Sequence, residues 1–262
     1  MGSIFGSGFQ GSEVPRFQGS RASEFLPLGE DPGTLEHWNP GTLAGDTVQR
    51  PAARPRGSEF TFARLRYDSG DWDYNPKVAA NVLNSIVEYT NIRVYPEEVV
   101  ITADSEELTA FPFLFMTGHK LVRFSTKERE RLRQYIDLGG FLFSDDCNHD
   151  IAGLYAVSFE QEMRTIFPGP RTLDKLARSH ALYSAFFHFP EGPPQTAHEL
   201  NGWGDDLVHD YLRAVAHRGR VGVLYSNKDY GCEWDYDWRN KRFQREDNTR
   251  FAVNLVVYAL SS

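Results

Sequence analysis

One stretch of the sequence, residues 113–147, constrains the fold more than any other. It begins with a short apolar run, Phe113-Leu-Phe-Met116, and it ends with a second one, Phe141-Leu-Phe143, followed by polar residues. Runs this short and this apolar are typical of strands that are covered on both faces, as in a parallel sheet. The stretch therefore predicts a strand–helix–strand unit of an α/β fold, with a polar cluster at the carboxyl end of its second strand.

The segment between the two strands has the signals of a helix. Ser125 stands three residues before Glu128, which is the spacing of a capping box. Apolar residues at 132, 135 and 136 then recur at helical spacing. Gly139 and Gly140 follow, and glycine can adopt the left-handed conformation that ends a helix. The sequence thus predicts one amphipathic helix packed against the sheet.

The same reasoning predicts the remaining elements. Strands are expected at 60–66, 99–101, 113–117, 141–145 and 221–225. A first helix is expected to be capped by Asn75 and opened by Pro76, with Ala79, Val82, Leu83, Ile86 and Val87 towards the core. Further helices are expected from Ser158 to about residue 166, over 206–217 at the surface and over 248–260, with an inserted loop at 188–205.

Several blocks of the chain resemble one protein family. They are residues 62–72, 112–119, 139–147, 225–234 and 254–258. In this order they are similar to the bacterial family known as domain of unknown function 4159. The resemblance implies a class I glutamine amidotransferase-like fold, which is a flavodoxin-like three-layer α/β sandwich with a mainly parallel sheet. It would cover residues 58–262, with a loop and a helix inserted at 188–218, and it implies architecture rather than a reaction.

Charge and composition exclude some classes of function. The formal net charge of −8 argues against a nucleic-acid partner, because binding phosphates needs a basic face. No run approaches the ~20 apolar residues of a membrane-spanning helix, and the first residues lack the basic region and apolar stretch of a secretory signal. The two cysteines form neither a disulfide framework nor a paired zinc motif. We therefore expect a cytoplasmic protein without a transmembrane segment of its own, which can lie at the periphery of a membrane complex.

The first 57 residues differ from the rest. They contain ten glycines, six prolines and no lysine, so they lack the composition of a folded core. Apolar residues nevertheless recur along them at intervals: Phe5, Phe9, Phe17, Phe25, Leu28, Leu35, Trp38 and Leu43. Such a segment can wrap around the surface of a partner and become ordered there. The pattern predicts an extended arm that binds another protein subunit.

A cysteine follows the second predicted strand, where the amidotransferase-like fold implies a nucleophile. The Gly-x-Cys-x-Gly elbow of that fold is absent, however, and Asp146 and Asn148 flank Cys147 instead. His149 is too close in sequence to serve as the conventional base, and no His-x-Glu pair occurs near the carboxyl end. Nearby carboxylates would raise the pKa of the thiol rather than lower it. We expect an ordinary thiol without glutaminase activity, while a cysteine-dependent hydrolase using Cys147, Asp146 and His149 stays an alternative.

The polar cluster itself suggests a metal. Oxygen ligands with an imidazole suit magnesium, manganese or iron, and the candidate ligands are Asp145, Asp146, His149 and Asp150. Adjacent residues of an extended chain point in opposite directions, however, and such side chains are also common in turns. The alternatives are a metal-dependent hydrolase and a turn without a metal, and we expect no cofactor.

Acidic and aromatic residues follow two of the predicted strands, at 67–74 and at 229–238. The candidate rim of a ligand or partner site consists of Tyr67, Asp68, Asp71, Trp72, His119, Asp229 and Trp234. Carboxylates beside aromatic rings suit a sugar, a cationic ligand or an arginine of a partner. The structural alternative is that Trp72 and Trp234 cover the upper edge of the sheet. Arg64 and Arg66 of the first strand would then pair with the acids.

Three functions are compatible with these patterns. The missing catalytic pairs and the arm favour a non-catalytic accessory subunit that docks on a larger assembly, for which a photosynthetic, envelope or secretion complex at a membrane would qualify. The second function is a small-molecule or carbohydrate-binding module that uses the acidic and aromatic rim. The third is a metal- or cysteine-dependent hydrolase.

Overall fold

A seven-stranded sheet forms the centre of the part of the chain that the structure describes. This computed structural model describes residues 57–170, 172–202, 205, 207–236 and 246–262. The strands are β1 (Ala63–Arg66), β2 (Val99–Thr102), β3 (Phe113–Gly118), β4 (Phe141–Asp146), β5 (Asp174–Lys175), β6 (Arg213–His217) and β7 (Arg220–Ser226). Their order across the sheet is β2-β1-β3-β4-β7-β6-β5. The predicted arm and its anchors from Phe5 to Leu43 lie outside the described residues.

Five of these strands pair in parallel, and two more extend the sheet through antiparallel pairs. β2, β1, β3, β4 and β7 pair in parallel, and all five strands predicted from the sequence are among them. β6 pairs antiparallel with β7, and β5 pairs antiparallel with β6. The chain is therefore an α/β protein with a mixed, mainly parallel sheet.

Helices cover both faces of the sheet. They are α1 (Val78–Tyr89), α2 (Thr126–Asp137), α3 (Leu154–Ile166), α4 (Ala197–Leu200), α5 (Tyr230–Asp235) and α6 (Glu246–Ser261). One hydrophobic core contains side chains of α1, α5 and α6, and a second contains those of α2 and α3. Among the described residues, no helix combines the length and the apolar character that crossing a membrane requires.

The alternation of side chains along the strands explains the two cores. In β3, Phe113 and Phe115 enter the core on the side of α1, whereas Leu114 and Met116 enter the core on the side of α2. All six residues of β3 and of β4 are buried. Burying one such side chain contributes about 1.5–3 kcal/mol, so a continuous apolar run is stable only between two helical layers.

The signals predicted around α2 are confirmed. Ser125 accepts a hydrogen bond from the Glu128 amide, and the Glu128 carboxylate accepts one from the Ser125 amide, which completes the capping box. Gly139 follows the helix with φ of +106°, in the region that favours glycine. The helix therefore begins and ends where its sequence signals lie.

The helix predicted over 206–217 is wrong, because this segment contains β6. His217 and Arg220 are joined by Arg218 and Gly219, which both have positive φ angles of 50° and 83°. Two such residues form the tight turn of an antiparallel hairpin. The strand then pairs with β7 through a register shift between Val215 and Ala216. The insertion predicted at 188–218 thus ends in a strand of the sheet.

Three smaller predictions also need correction. Val87 of α1 is exposed rather than buried. Asn75 does not cap α1, whose first cap residue is Lys77, and instead has a left-handed backbone with φ of 58°. α3 begins at Leu154 after Gly153 rather than at Ser158, because the turn at 150–153 leads directly into the helix.

Candidate functional site

A crevice opens at the carboxyl ends of the parallel strands. It has a volume of about 540 Å³ and is lined by the segments that follow β1, β3, β4 and β7. After β1 the chain forms β2 on one side of β1, and it then crosses over to form β3 on the other side. Open α/β sheets bind ligands at such a reversal of strand order. The crevice is therefore the candidate site.

Two cysteines and an aspartate meet at the bottom of this crevice. One thiol or carboxylate atom from each of Cys147, Asp229 and Cys232 lies within 4.8 Å of the others. We call these three residues the thiol cluster. Cys147 follows β4, whereas Asp229 precedes α5 and Cys232 lies in its first turn. The predicted position of Cys147 at a strand end is confirmed, and Cys232 joins it through the fold.

Neighbouring side chains hold the thiol cluster in place. The Asn75 amide donates to the Cys147 sulfur at 3.2 Å, and it lies 3.5 Å from the Cys232 sulfur. The Thr117 hydroxyl lies 3.0 Å from the Cys147 sulfur. Asp229 has a φ of 60°, and its carboxylate accepts the Cys232 amide at 3.3 Å. Short polar side chains tolerate this left-handed backbone better than most residues.

The electrostatic environment separates the two thiols. Burial raises the pKa of the Cys147 thiol, and the neighbouring Cys232 and Asp229 raise it further. The hydrogen bond with Cys147 lowers the pKa of the Cys232 thiol to about 7, against the opposite effect of burial. Burial also raises the pKa of Asp229. Cys147 is 8 % exposed, so it is neither an accessible nor an activated nucleophile.

The two acids before Cys147 point to opposite sides of the sheet. The Asp145 carboxylate accepts the Gly231 amide of α5 at 2.6 Å, while its other oxygen has no hydrogen-bond partner. The Asp146 carboxylate accepts from the Tyr225 hydroxyl on the other face at 3.1 Å. Burial raises the pKa of Asp145 to about 8 and that of Asp146 to about 7. Both acids therefore have structural partners in separate layers.

The metal cluster predicted from 145–150 is consequently not assembled. The His149 ring nitrogens face the carbonyl oxygens of Asn227 at 2.6 Å and of Leu207 at 2.8 Å. Asp150 accepts the amide of Ala152 in the turn before α3. Adjacent side chains of an extended chain, such as those of Asp145 and Asp146, point to opposite faces, as the sequence already led us to expect.

His149 belongs to a second polar group instead, with Asp205 and His209. The His209 ring lies 2.9 Å from the Asp205 carboxylate, and the two imidazole rings are 5.2 Å apart. His209 lies in the loop before β6 and is buried. This group fastens the segment before β6 to the turn that follows β4.

A buried ion pair positions the wall of the crevice that contains α4. Lys228 donates to both oxygens of Glu199, at 2.6 and 2.7 Å, and both side chains are fully buried. Glu199 also accepts the amide of Thr196, and Thr196 accepts the amide of Glu199, in a second capping box. The pair therefore connects the end of β7 to α4, whose residues Ala197 and His198 line the crevice.

The upper part of the crevice contains residues from both predicted acidic and aromatic clusters. Asp73 and Tyr74 come from the first cluster, and Asp235 and Tyr236 from the second. His119 lies between them, with its ring 2.9 Å from the Asp71 carboxylate and in an edge-to-face contact with Tyr74. Burial acts to raise the pKa of Asp71, but hydrogen bonds from His119 and Lys120 outweigh it and lower that pKa. Residues of both clusters thus line one crevice, although of the predicted rim residues only His119 and Asp229 are among them.

Other residues of the predicted rim have structural positions. The buried Tyr67 donates its hydroxyl to the Thr117 carbonyl, and Trp234 is packed under α6. Trp72 stacks with Arg66, and Asp68 is exposed outside the crevice. Residues 237 and 238 lie outside the described residues.

Arg64 is buried and structural. It pairs with Glu98 and donates to the carbonyl oxygens of Tyr74 and Asn75. The guanidinium therefore fixes the loop after β1, rather than pairing with the rim acids.

Sequence reasoning missed several residues of the crevice, among them Cys232, Asn75 and His198. The available signal for Cys232 was the pattern Asp229-Tyr-Gly-Cys232 directly after a predicted strand. In sequence Asn75 is 72 residues from Cys147 and 157 from Cys232, so only the strand order places them together.

Comparison with known proteins identifies the domain that contains the crevice. The model of the family described as "Domain of unknown function (DUF4159)" matches residues 61–260. No curated protein matches the chain significantly. All the crevice residues named above lie inside the matched range.

Proposed function

The chain belongs to the DUF4159 family, and from this premise we propose that its domain is a non-catalytic binding module whose crevice accepts a small organic cation. More specifically, we propose that the domain has the flavodoxin-like, class I glutamine amidotransferase-like fold. It has the ligand crevice of such folds but lacks their nucleophile. The order of the five parallel strands supports it, because β2-β1-β3-β4-β7 corresponds to the flavodoxin-like order.

The observation that carries the proposal is the composition of the upper crevice. Carboxylates of Asp73 and Asp235 lie with the rings of Tyr74 and Tyr236 around one opening. An ammonium or guanidinium group gains from both kinds of neighbour, since it pairs with carboxylates and rests on ring faces. The formal charge of −8 attracts cations towards the protein as a whole. A guanidinium is the best match because it is planar and weakly hydrated.

The state of Cys147 supports a module without catalysis. Its sulfur is buried under Asn75 and Thr117, and its described neighbours do not include an imidazole as base. The His149 nitrogens are engaged by carbonyl oxygens. A nucleophilic cysteine needs a nearby base or an equivalent cation and must be reachable by substrate. The crevice is thus better suited to binding than to acyl transfer.

A titration of the full chain with arginine amide tests the proposal. We expect saturable binding by calorimetry, weakened about twofold to fivefold by Asp73→Asn and by Tyr74→Ala, since an exposed ion pair or cation–ring contact contributes roughly 0.5–1 kcal/mol. Asp68→Asn is the matched control, because Asp68 is an exposed acid outside the crevice. Absence of binding, or equal binding by all variants, would contradict the proposal. Binding of neutral glucose instead would favour a carbohydrate module.

A second candidate function is an accessory subunit that docks on a larger, membrane-associated protein assembly through residues 1–57. A specific surface supports it in addition to the composition of that segment. Ile151, Leu154 and Val157 are each about half exposed and lie near the start of α3. Adjacent exposed apolar side chains mark interaction surfaces more often than isolated ones do. This function is compatible with the first, because α3 and the crevice are separate surfaces.

A further inference from the structure

The thiol cluster has a composition that neither binding an organic cation nor docking explains. Cys147, Asp229 and Cys232 approach from two different strand ends and direct two sulfurs and a carboxylate at one point. We propose that this point is a zinc site, with the three side chains as ligands and a fourth position open to the crevice.

The distances fit such a site. Zinc binds sulfur at about 2.3 Å and carboxylate oxygen at about 2.0–2.2 Å in a tetrahedral arrangement. Two ligand atoms of one ion are therefore separated by roughly 3.5–3.8 Å. The ligand atoms of the thiol cluster lie within 4.8 Å of one another. Small side-chain rotations would bring them to the coordination distances without a change of the backbone.

The charges of the surroundings favour a cation at this point. Cys147 and Asp229 are buried at this point with the partly buried Cys232, and the buried Asp145 binds the Gly231 amide directly before Cys232. Burying several acidic groups together is costly unless protons or a cation neutralise them. A divalent ion would do so for the whole cluster, because it keeps thiols deprotonated when they coordinate it.

Groups around the ligands hold them in the manner of a metal site. The His198 Nδ1 atom lies 3.4 Å from the Asp229 carboxylate. Asn75 and Thr117 contact the Cys147 sulfur from two sides. Ligands of metal ions are usually oriented by such outer contacts. One Asp145 carboxylate oxygen accepts the Gly231 amide of α5, and the other has no hydrogen-bond partner. This second oxygen is a further buried acceptor beside the ligands.

The ligand types select the kind of metal. Thiolates are soft ligands that prefer zinc over magnesium or calcium, and two sulfurs with one oxygen suit a tetrahedral ion. Purely structural zinc sites use four protein ligands, so three protein ligands leave a fourth position open. The fourth position would face the crevice, where a water molecule or a donor atom of a ligand can bind. The site does not depend on the proposed organic cation, since it uses the bottom of the crevice and not its rim.

Cobalt spectroscopy of the full chain, reduced and freed of metal, tests the proposal. Cys147 and Cys232 are the two cysteines of the chain, so any thiolate-to-cobalt charge-transfer band must arise from one or both of them. We expect one equivalent of Co²⁺ to produce this band together with the intense visible bands of tetrahedral cobalt. One equivalent of Zn²⁺ should then remove both. A spectrum of octahedral cobalt alone, or none, would overturn the proposal.

Variants locate the ligands. Cys147→Ser and Cys232→Ser should each halve the charge-transfer intensity per cobalt, while Asp229→Asn should keep both thiolates and weaken binding by at least about tenfold. Asp68→Asn should leave the titration unchanged. Should a cysteine variant fail to fold, the partly exposed Cys232 of the wild-type chain gives a second readout, because Zn²⁺ should protect its thiol from iodoacetamide. A protein that binds no metal when reduced and forms a Cys147–Cys232 disulfide when oxidised would show a redox pair and overturn the zinc site.

Discussion

Gly118, the last residue of β3, shows how tightly one residue can determine the crevice. Its φ is +154°, and an added Cβ would overlap the Tyr67 hydroxyl and lie 2.8 Å from an Asp71 oxygen. Neither neighbour is free to move, since Tyr67 binds the Thr117 carbonyl and Asp71 binds His119. Only glycine fits here, for both conformation and space.

We therefore expect Gly118→Ala to destabilise the protein by about 2–4 kcal/mol, from overpacking and backbone strain together. Chemical denaturation monitored by circular dichroism measures this loss. Gly139→Ala is the matched control, because its φ is also positive but nothing lies within 4 Å of the added Cβ. The control should lose only about 1–2 kcal/mol. Equal losses for the two variants would mean that the contact with Tyr67 has no effect.

The residues of the candidate site differ in how far the sequence predicts them. Cys147 follows a recognisable buried strand, so its place at the sheet edge is readable from local pattern. Asn75 and Cys232 come from segments far apart in the chain, and their meeting depends on which strands are neighbours. Local sequence carries no information on that order. For the same reason Asp229 is predicted as a rim residue, although it belongs to the bottom of the crevice.

At the scale of elements, the buried parallel strands were predictable and the antiparallel ones were not. β3 and β4 each begin with a short apolar run, which is typical of strands that are covered on both faces. β6 contains Arg213, two alanines and one valine, so its own side chains give a weak signal. Its pairing comes from the turn at Arg218 and Gly219, where arginine occupies a position more often held by asparagine.

The buried ion pair between Lys228, after β7, and Glu199 of α4 should contribute to stability. Lys228→Met should destabilise the protein by about 3–5 kcal/mol, because it leaves the carboxylate of Glu199 buried without its cation. Adding Glu199→Gln should restore part of this loss, since glutamine is neutral. Its single oxygen can accept only one of the two amides, of Thr196 and His209, that the two oxygens of Glu199 accept. Urea unfolding of both single variants and the double variant gives the coupling energy. Strictly additive losses would show that the ion pair does not hold the α4 wall in place.

At the scale of the whole molecule, the order of the strands decides where function can lie. The carboxyl ends of β1, β3, β4 and β7 lie side by side, so four separate loops contribute to one crevice. β5 and β6 extend the sheet beyond this region, and their segment supplies Asp205 and His209 behind the crevice. The parallel part of the architecture followed from the spacing of apolar runs, while its extension required knowledge of tertiary pairing.

The first 57 residues should not be needed for the domain to fold. Within the described part of the chain, the two hydrophobic cores already join side chains from Phe60 to Ala259 in both helical layers. Deleting 1–57 should therefore change the melting temperature by less than about 2 °C, which corresponds to under roughly 1 kcal/mol for a domain of this size. Differential scanning calorimetry of both forms measures it.

The same deletion should release the domain from the assembly on which we propose that it docks. Glycine lets a chain follow a surface closely, and aromatic anchors supply most of the binding energy of such a segment. Changing Phe5, Phe9 and Phe17 to alanine should thus prevent co-purification, whereas changing Ser3, Ser7 and Ser12 to alanine should not. A deleted form that still co-purifies, or a domain that unfolds without residues 1–57, would contradict docking through this segment. Retained melting together with lost co-purification would show that binding and folding are encoded in separate parts of the chain.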